Sequence, residues 1–237
     1  MVRALFLFLV AAPIMALDAA QAQQAGGIQV APVMIAMSAE HNIASLRVRN
    51  GRDRAVAFEV DVFDWRQDNG RDVLTPTRDL LVAPGVFEVR AESEQVVRLG
   101  VLTANANRER AFRIILRELP AQRESGSVLG FTLELSLPVF IAPIEARGQV
   151  EARAEERPWG PVLIIANTGR THVRLAALET AEAGPVQAPR YLLAGANAEI
   201  QLPRQARTIR LVSADIGGAE IERIIHVGRP SQRADLR

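Results

Sequence analysis

The chain has 237 residues, no cysteine, and 28 basic against 27 acidic side chains, interspersed to a formal charge of +1. That balance excludes a nucleic-acid or polyanion surface built on bulk electrostatics. Without disulfides, an exported chain of this length holds together by core packing and backbone pairing.

Residues 1–22 read as a targeting signal. Arg3 gives a positive start, Ala4 to Leu17 form an apolar segment, and Ala20, Gln21 and Ala22 supply small residues for cleavage. The apolar run contains Pro13, closes at Asp18 and is shorter than the roughly 20 residues of a spanning helix. The expectation is an exported protein, soluble after processing near Gln23 and not inserted in the membrane.

From Gly27 onward, short apolar or alternating runs are separated by turn chemistry. Ile28 to Met37, Ala44 to Val48, Ala55 to Trp65, Leu80 to Val82, Val86 to Val89, Gln95 to Leu102 and Ala111 to Leu116 read as strands. Asn50-Gly51 and Asp68-Asn69-Gly70 are the turns among them. Thr103 to Glu109 reads as a loop. Strands at this spacing, with almost no helical periodicity, predict an all-β immunoglobulin-like sandwich over residues 23–142.

The pattern then restarts. Val150 to Ala154, Val162 to Ala166, Val173 to Leu178, Arg190 to Leu193, Glu199 to Leu202, Thr208 to Val212 and Glu220 to Val227 predict a second, smaller sandwich over residues 143–230, before a polar tail at 231–237. The join is short, with its hinge at Ala142, Pro143 and Ile144. The two sandwiches are therefore expected at a restricted angle with a cleft between them.

Catalytic chemistry is not visible in this text. His41, His172 and His226 lie far apart with no second ligand at metal spacing, and read as surface or structural histidines. No glycine-rich loop opens a helix, and no serine sits in a nucleophile elbow. Glu92, Glu94, Glu155 and Glu156 read as solvated charges. The expectation is a binding protein rather than an enzyme, with no cofactor and no metal.

The most informative stretch is Val128 to Pro143. Leu129, Phe131, Leu133, Leu135, Leu137 and Val139 alternate with Gly130, Thr132, Glu134 and Ser136, the period of a strand with one apolar face. Such a row either faces its own core or is offered to another polypeptide by edge pairing. Pro138 removes one ladder donor, which suits an edge.

At Leu116-Arg117-Glu118-Leu119-Pro120, followed by this strand and by Val139-Phe140-Ile141-Ala142-Pro143, the chain resembles the periplasmic pilus-assembly chaperones of the chaperone-usher pathway. Ser45 to Asn50 and Val62 to Trp65 add to the likeness. Asp64-Trp65-Arg66-Gln67, Leu74-Thr75-Pro76 and Ser136 to Phe140 look like the archaic, spore-coat-related branch. The resemblance implies two immunoglobulin-like domains, periplasmic location, pilin subunits and an outer-membrane usher as partners, and no cofactor. It also implies that Leu129, Phe131, Leu133, Leu135 and Leu137 fill the groove of a pilin that lacks its last strand. Five such side chains at ~1.5–3 kcal/mol each amount to roughly 7–15 kcal/mol before association entropy is subtracted.

In Pap-type members a basic pair in the cleft holds the pilin's terminal carboxylate. Laid along this chain, those positions fall at Met34 and Pro138, neither of which can ion-pair. Arg113 and Arg117, on one face of one strand by parity, are the candidates in their place, against a reading as surface arginines or structural ion pairs. The competing reading of the whole chain is a two-domain envelope scaffold or adhesin module without chaperone activity. The client, and whether an empty row is covered by self-association, are left open by the sequence.

Overall fold

The computed structural model describes residues 27–101, 107–120, 132–144 and 146–228. The expected signal segment, the C-terminal tail, Leu129 and Phe131 lie outside these residues. The first ten strands are β1 (Ile28–Ala31), β2 (Ile35–Ser38), β3 (Ile43–Asn50), β4 (Val56–Asp68), β5 (Arg71–Pro76), β6 (Leu80–Ala83), β7 (Val86–Val89), β8 (Ser93–Val101), β9 (Arg110–Glu118) and β10 (Glu134–Ala142). They form a four-stranded sheet ordered β1-β3-β8-β6, packed against a second sheet ordered β2-β10-β9-β4-β5, with β7 also on β4. Leu46, Val48, Phe58, Val97, Leu99, Phe112, Ile114 and Leu116 fill the space between them.

Three local differences from the sequence reading bear on function. The run Ile28 to Met37 is not one strand. Pro32 cannot donate to a ladder, and the chain crosses between sheets there: β1 pairs with β3, whereas β2 runs parallel to β10. β5 was not expected, because all six of its residues are exposed and show no buried row. It forms because Asn69 (φ 46°) and Gly70 (φ 75°) both adopt the left-handed region, the requirement of a tight hairpin turn. Finally, within the described residues the strand expected from Val128 begins only at Glu134.

The remaining strands are β11 (Val150–Arg157), β12 (Gly160–Asn167), β13 (Val173–Thr180), β14 (Gly184–Pro185), β15 (Tyr191–Leu192), β16 (Asn197–Gln201), β17 (Thr208–Ala214) and β18 (Glu220–His226). A three-stranded sheet, β11-β12-β16, faces β14-β13-β17-β18, with β15 on β13. Leu163, Ile165, Leu192, Ile209 and Leu211 lie between them. Both sandwiches use the same corner device. Asn50 Nδ2 donates to the carbonyls of Arg54, Val89 and Arg90, and Asn167 Nδ2 donates to those of Thr171 and Leu192. Each asparagine closes a strand and satisfies buried backbone acceptors that would otherwise stand empty.

Candidate subunit-binding edge and interdomain joint

Leu133 accepts from Glu118 N through its carbonyl (2.8 Å), and its N–H donates to the Glu118 side chain (3.2 Å). The odd-numbered backbone groups of β10 therefore face β9, with register Leu135↔Leu116 and Leu137↔Ile114. The even-numbered groups point the other way. β2 takes that side only at Val139 to Ala142. From Glu134 to Pro138 no strand of the described residues covers it. Pro138 sits where the covered part begins, and its missing N–H faces the uncovered side, so the β9 ladder loses nothing.

The side-chain row changes along the same strand. Val139 (0% exposed), Ile141 and Leu137 (5%) belong to the core of their own sandwich, while Leu135 is half-buried against that core and Leu133 is half-buried. Leu137, which the sequence reading grouped with the groove-filling side chains, has almost no surface left to transfer. The five-side-chain sum therefore overstates what this row can gain. Glu118 fixes the start of the strand: it is buried, binds Arg52 through both oxygens (2.6 and 3.1 Å) and accepts from Leu133 N.

Arg113 and Arg117 do share the outer face of the sheet, opposite Pro138 and Glu134 respectively. At four residues they stand about 13 Å apart along the strand, in different surroundings. Arg117 lies in a solvated ladder of carboxylates, 3.0 Å from Asp61, 3.1 Å from Glu134 and 3.8 Å from Glu59. Hydrogen bonds to Glu134 and Asp61 raise its pKa. The Arg113 guanidinium lies over the Trp65 ring, 3.8 Å from its centroid, with a contact of 3.6 Å to Asp72. Burial draws its pKa down, opposed by Asp72 and Tyr191. Met34 receives a 3.7 Å contact from the Tyr191 hydroxyl, a weak acceptor for a strong donor.

Tyr191 belongs to a feature that the sequence reading missed. Trp65, Ala111 and Phe140 of the first sandwich pack with Tyr191 and Leu193 of the second in a separate buried cluster. The His172 ring stacks on Phe140 at 3.6 Å and 16°, and Glu109 holds it, accepting from His172 N (2.8 Å) and lying 2.9 Å from Nδ1. His172 is thus a buried structural histidine whose partner lies 63 residues away, a separation at which no spacing rule operates. The β4–β5 hairpin completes the joint. Gln67 donates to Tyr191 O and accepts from Leu193 N, both at 2.9 Å, and Asn69 Oδ1 accepts from Glu199 N at 2.9 Å. Gly70 lies so close to Ala198 that a Cβ would come within 2.7 Å of its side chain. Beside this joint opens a cleft of about 410 Å³, lined by Asp64, Arg66, Arg108, Glu109 and Arg110 from one sandwich and by Leu193 to Ala196 from the other. Among the described residues, no three His, Cys, Asp or Glu side chains are placed to hold a metal ion.

Two immunoglobulin-like sandwiches fixed at an angle, the last strand of the first half-covered and half-open, define a two-domain chaperone architecture. The chain belongs to the family of pili and flagellar-assembly chaperones: residues 27–146 match the PapD N-terminal domain. Among solved structures, a chain of the CsuC–CsuE chaperone–tip adhesion subunit pre-assembly complex, from the archaic chaperone-usher Csu pili of Acinetobacter baumannii, is similar with a TM-score of 0.70 at 19% identity. That alignment covers 86% of this chain and 100% of that one. The Salmonella enterica SafA pilin–SafB chaperone complex follows at 0.66 and 17%, over 86% and 97%. The Pseudomonas aeruginosa CupB2 chaperone gives 0.60 and 18%, over 84% and 100%. At these identities the likeness establishes the fold. No curated protein sequence matches the chain.

Proposed function

We propose that this protein captures incomplete pilus subunits in the periplasm by lending them the edge of β10, and hands them to an outer-membrane usher. The carrying observation is the edge from Glu134 to Pro138, uncovered among the described residues, beside the half-buried Leu133 and Leu135. Two backbone N–H groups and three carbonyls point outward there by parity, and a subunit lacking its last strand supplies the complementary edge. Leu129 and Phe131, which continue the apolar alternation in the sequence, lie outside the described residues. Subunit capture by strand lending requires no reaction and no cofactor.

Of the two arginine candidates, Arg113 suits the terminal carboxylate better. Arg117 already meets three carboxylates, whereas Arg113 has one long contact with a half-exposed Asp72 that an incoming carboxylate can replace. Ala142, Pro143 and Ile144 act as the covalent hinge, with the aromatic cluster restricting its swing. The Asp64 to Gln67 phrase supports membership of the archaic branch.

Periplasmic co-expression with the pilin subunit encoded nearby tests this reading. Wild type should co-purify with the subunit stoichiometrically, Leu135→Glu should lose it while remaining folded, and Arg113→Gln should weaken it about tenfold or more. Failure of wild type to hold any neighbouring subunit would return the chain to the scaffold reading.

A further inference from the structure

With no cysteine in the chain, methionine is its only sulfur-bearing residue type, and it occurs four times. Met1 and Met15 fall in the expected signal segment, which leaves Met34 and Met37 to the processed protein. Their surroundings are opposite. Met37 is 4% exposed in the core of the first sandwich, whereas Met34, just ahead of β2, is 40% exposed. Oxidants act on sulfur where they can reach it, so Met34 is oxidised first.

Met34 also spans the joint. Its sulfur, on the first sandwich, accepts from the hydroxyl of Tyr191, on the second, at 3.7 Å. Among the described residues that sulfur is the only hydrogen-bond acceptor the hydroxyl has. Tyr191 is otherwise buried, edge-on to Trp65 at 6.0 Å, and the Arg113 guanidinium lies over the same Trp65 ring. A thioether accepts weakly, so the Tyr191 hydroxyl keeps most of its donor capacity for an acceptor arriving beside Arg113.

Resting on the chaperone reading above, we infer that Met34 is an oxidative modification site whose sulfoxide withdraws the Tyr191 hydroxyl from subunit capture. The co-reactant is a peroxide. The sulfur lone pair attacks one peroxide oxygen and the O–O bond breaks; with hydrogen peroxide that oxygen stays on sulfur and the other leaves as water. Sulfur loses two electrons and the peroxide gains them. The product puts a strongly polarised oxygen where a weak acceptor stood. That oxygen takes the Tyr191 hydrogen bond and ties the two sandwiches at this point. A methionine sulfoxide reductase restores the thioether. Subunit capture thereby answers to the level of oxidant around the protein.

The test treats the purified full chaperone with hydrogen peroxide, reads each methionine by peptide mass, and measures pilin binding before and after treatment. One oxygen should enter, at Met34, with Met37 unmodified. Pilin affinity of the oxidised wild type should fall about tenfold, the worth of one hydrogen bond, and return after treatment with a methionine sulfoxide reductase. Met34→Leu should bind equally before and after peroxide. Tyr191→Phe should still take up oxygen at Met34 but lose little further affinity, which separates withdrawal of the hydroxyl from mere bulk at residue 34. With pilin already bound, Met34 should oxidise more slowly. Oxygen entering Met37 as fast as Met34, or a Met34 sulfoxide that captures pilin as well as the thioether does, would overturn the inference. If untreated wild type captures no pilin, the chaperone reading fails first, while the site of oxygen uptake still decides whether Met34 is the modified residue.

Discussion

The two halves of β10 have the same neighbour, β9, yet one is interior and the other is a border. From Val139 to Ala142 the strand lies between β9 and β2, and Val139 and Ile141 are sealed in the core. From Glu134 to Pro138 it has β9 alone among the described residues, and Leu133 and Leu135 keep part of their surface. Alternation states that a strand has an apolar face. What covers that face, and what covers the strand's other edge, is decided by a segment about a hundred residues earlier in the chain. Under the proposed function, the same apolar residue type is thus a stability element in one half and a binding element in the other.

The comparison breaks first at Val139→Asp. A carboxylate placed without a partner at a fully buried site should cost more than about 4 kcal/mol; chemical denaturation should find the first domain unfolded or nearly so. Next comes Glu118→Ala, which leaves Leu133 N without its acceptor and Arg52 without its bidentate partner. About 2 kcal/mol is expected, together with faster hydrogen exchange at the start of β10 and weaker subunit capture. Leu135→Glu should change stability by no more than about 1 kcal/mol while removing capture. A loss as large as that of Val139→Asp would mean that the two halves do not differ.

The smallest effect lies outside the strand and serves as its control. The backbone N–H groups of Arg207 and Thr208 hold the Glu182 carboxyl below its usual range. Because the folded pKa is depressed, that contribution is present above the unfolded pKa and is lost as pH falls through the folded one. Amide protection at Arg207 and Thr208 should fall in acid by a small amount, with β10 unchanged.

Much of this was legible in the sequence. The positions of most strands, the restart after Pro143 and the alternation through Leu135, Leu137 and Val139 follow from period-two patterning and turn chemistry, which are local. The division of labour within β10 was not, because Pro32 turns a single apolar run into two strands in different sheets. β5 escaped notice because none of its side chains is buried, and burial is what makes a strand visible in a sequence. Parity correctly put Arg113 and Arg117 on one face, but it could not distinguish an aromatic bed from a carboxylate ladder. Glu109 and His172, or Gln67 and the backbone at Tyr191, meet only after both sandwiches have formed.

The long β4 acts as a gauge rod. It leaves the first core at Val60, passes Trp65 in the joint and delivers Gln67 and Asn69 to the second sandwich, so the angle between the domains is measured out in residues along one strand. Inserting a single residue between Trp65 and Gln67 would turn the glutamine to the opposite face. Inserting two would restore the face but carry the hairpin tip about 7 Å too far. In this molecule the opening of the cleft is therefore adjustable only in whole pleats, and lineages with a wider or narrower cleft should differ here by even-numbered steps.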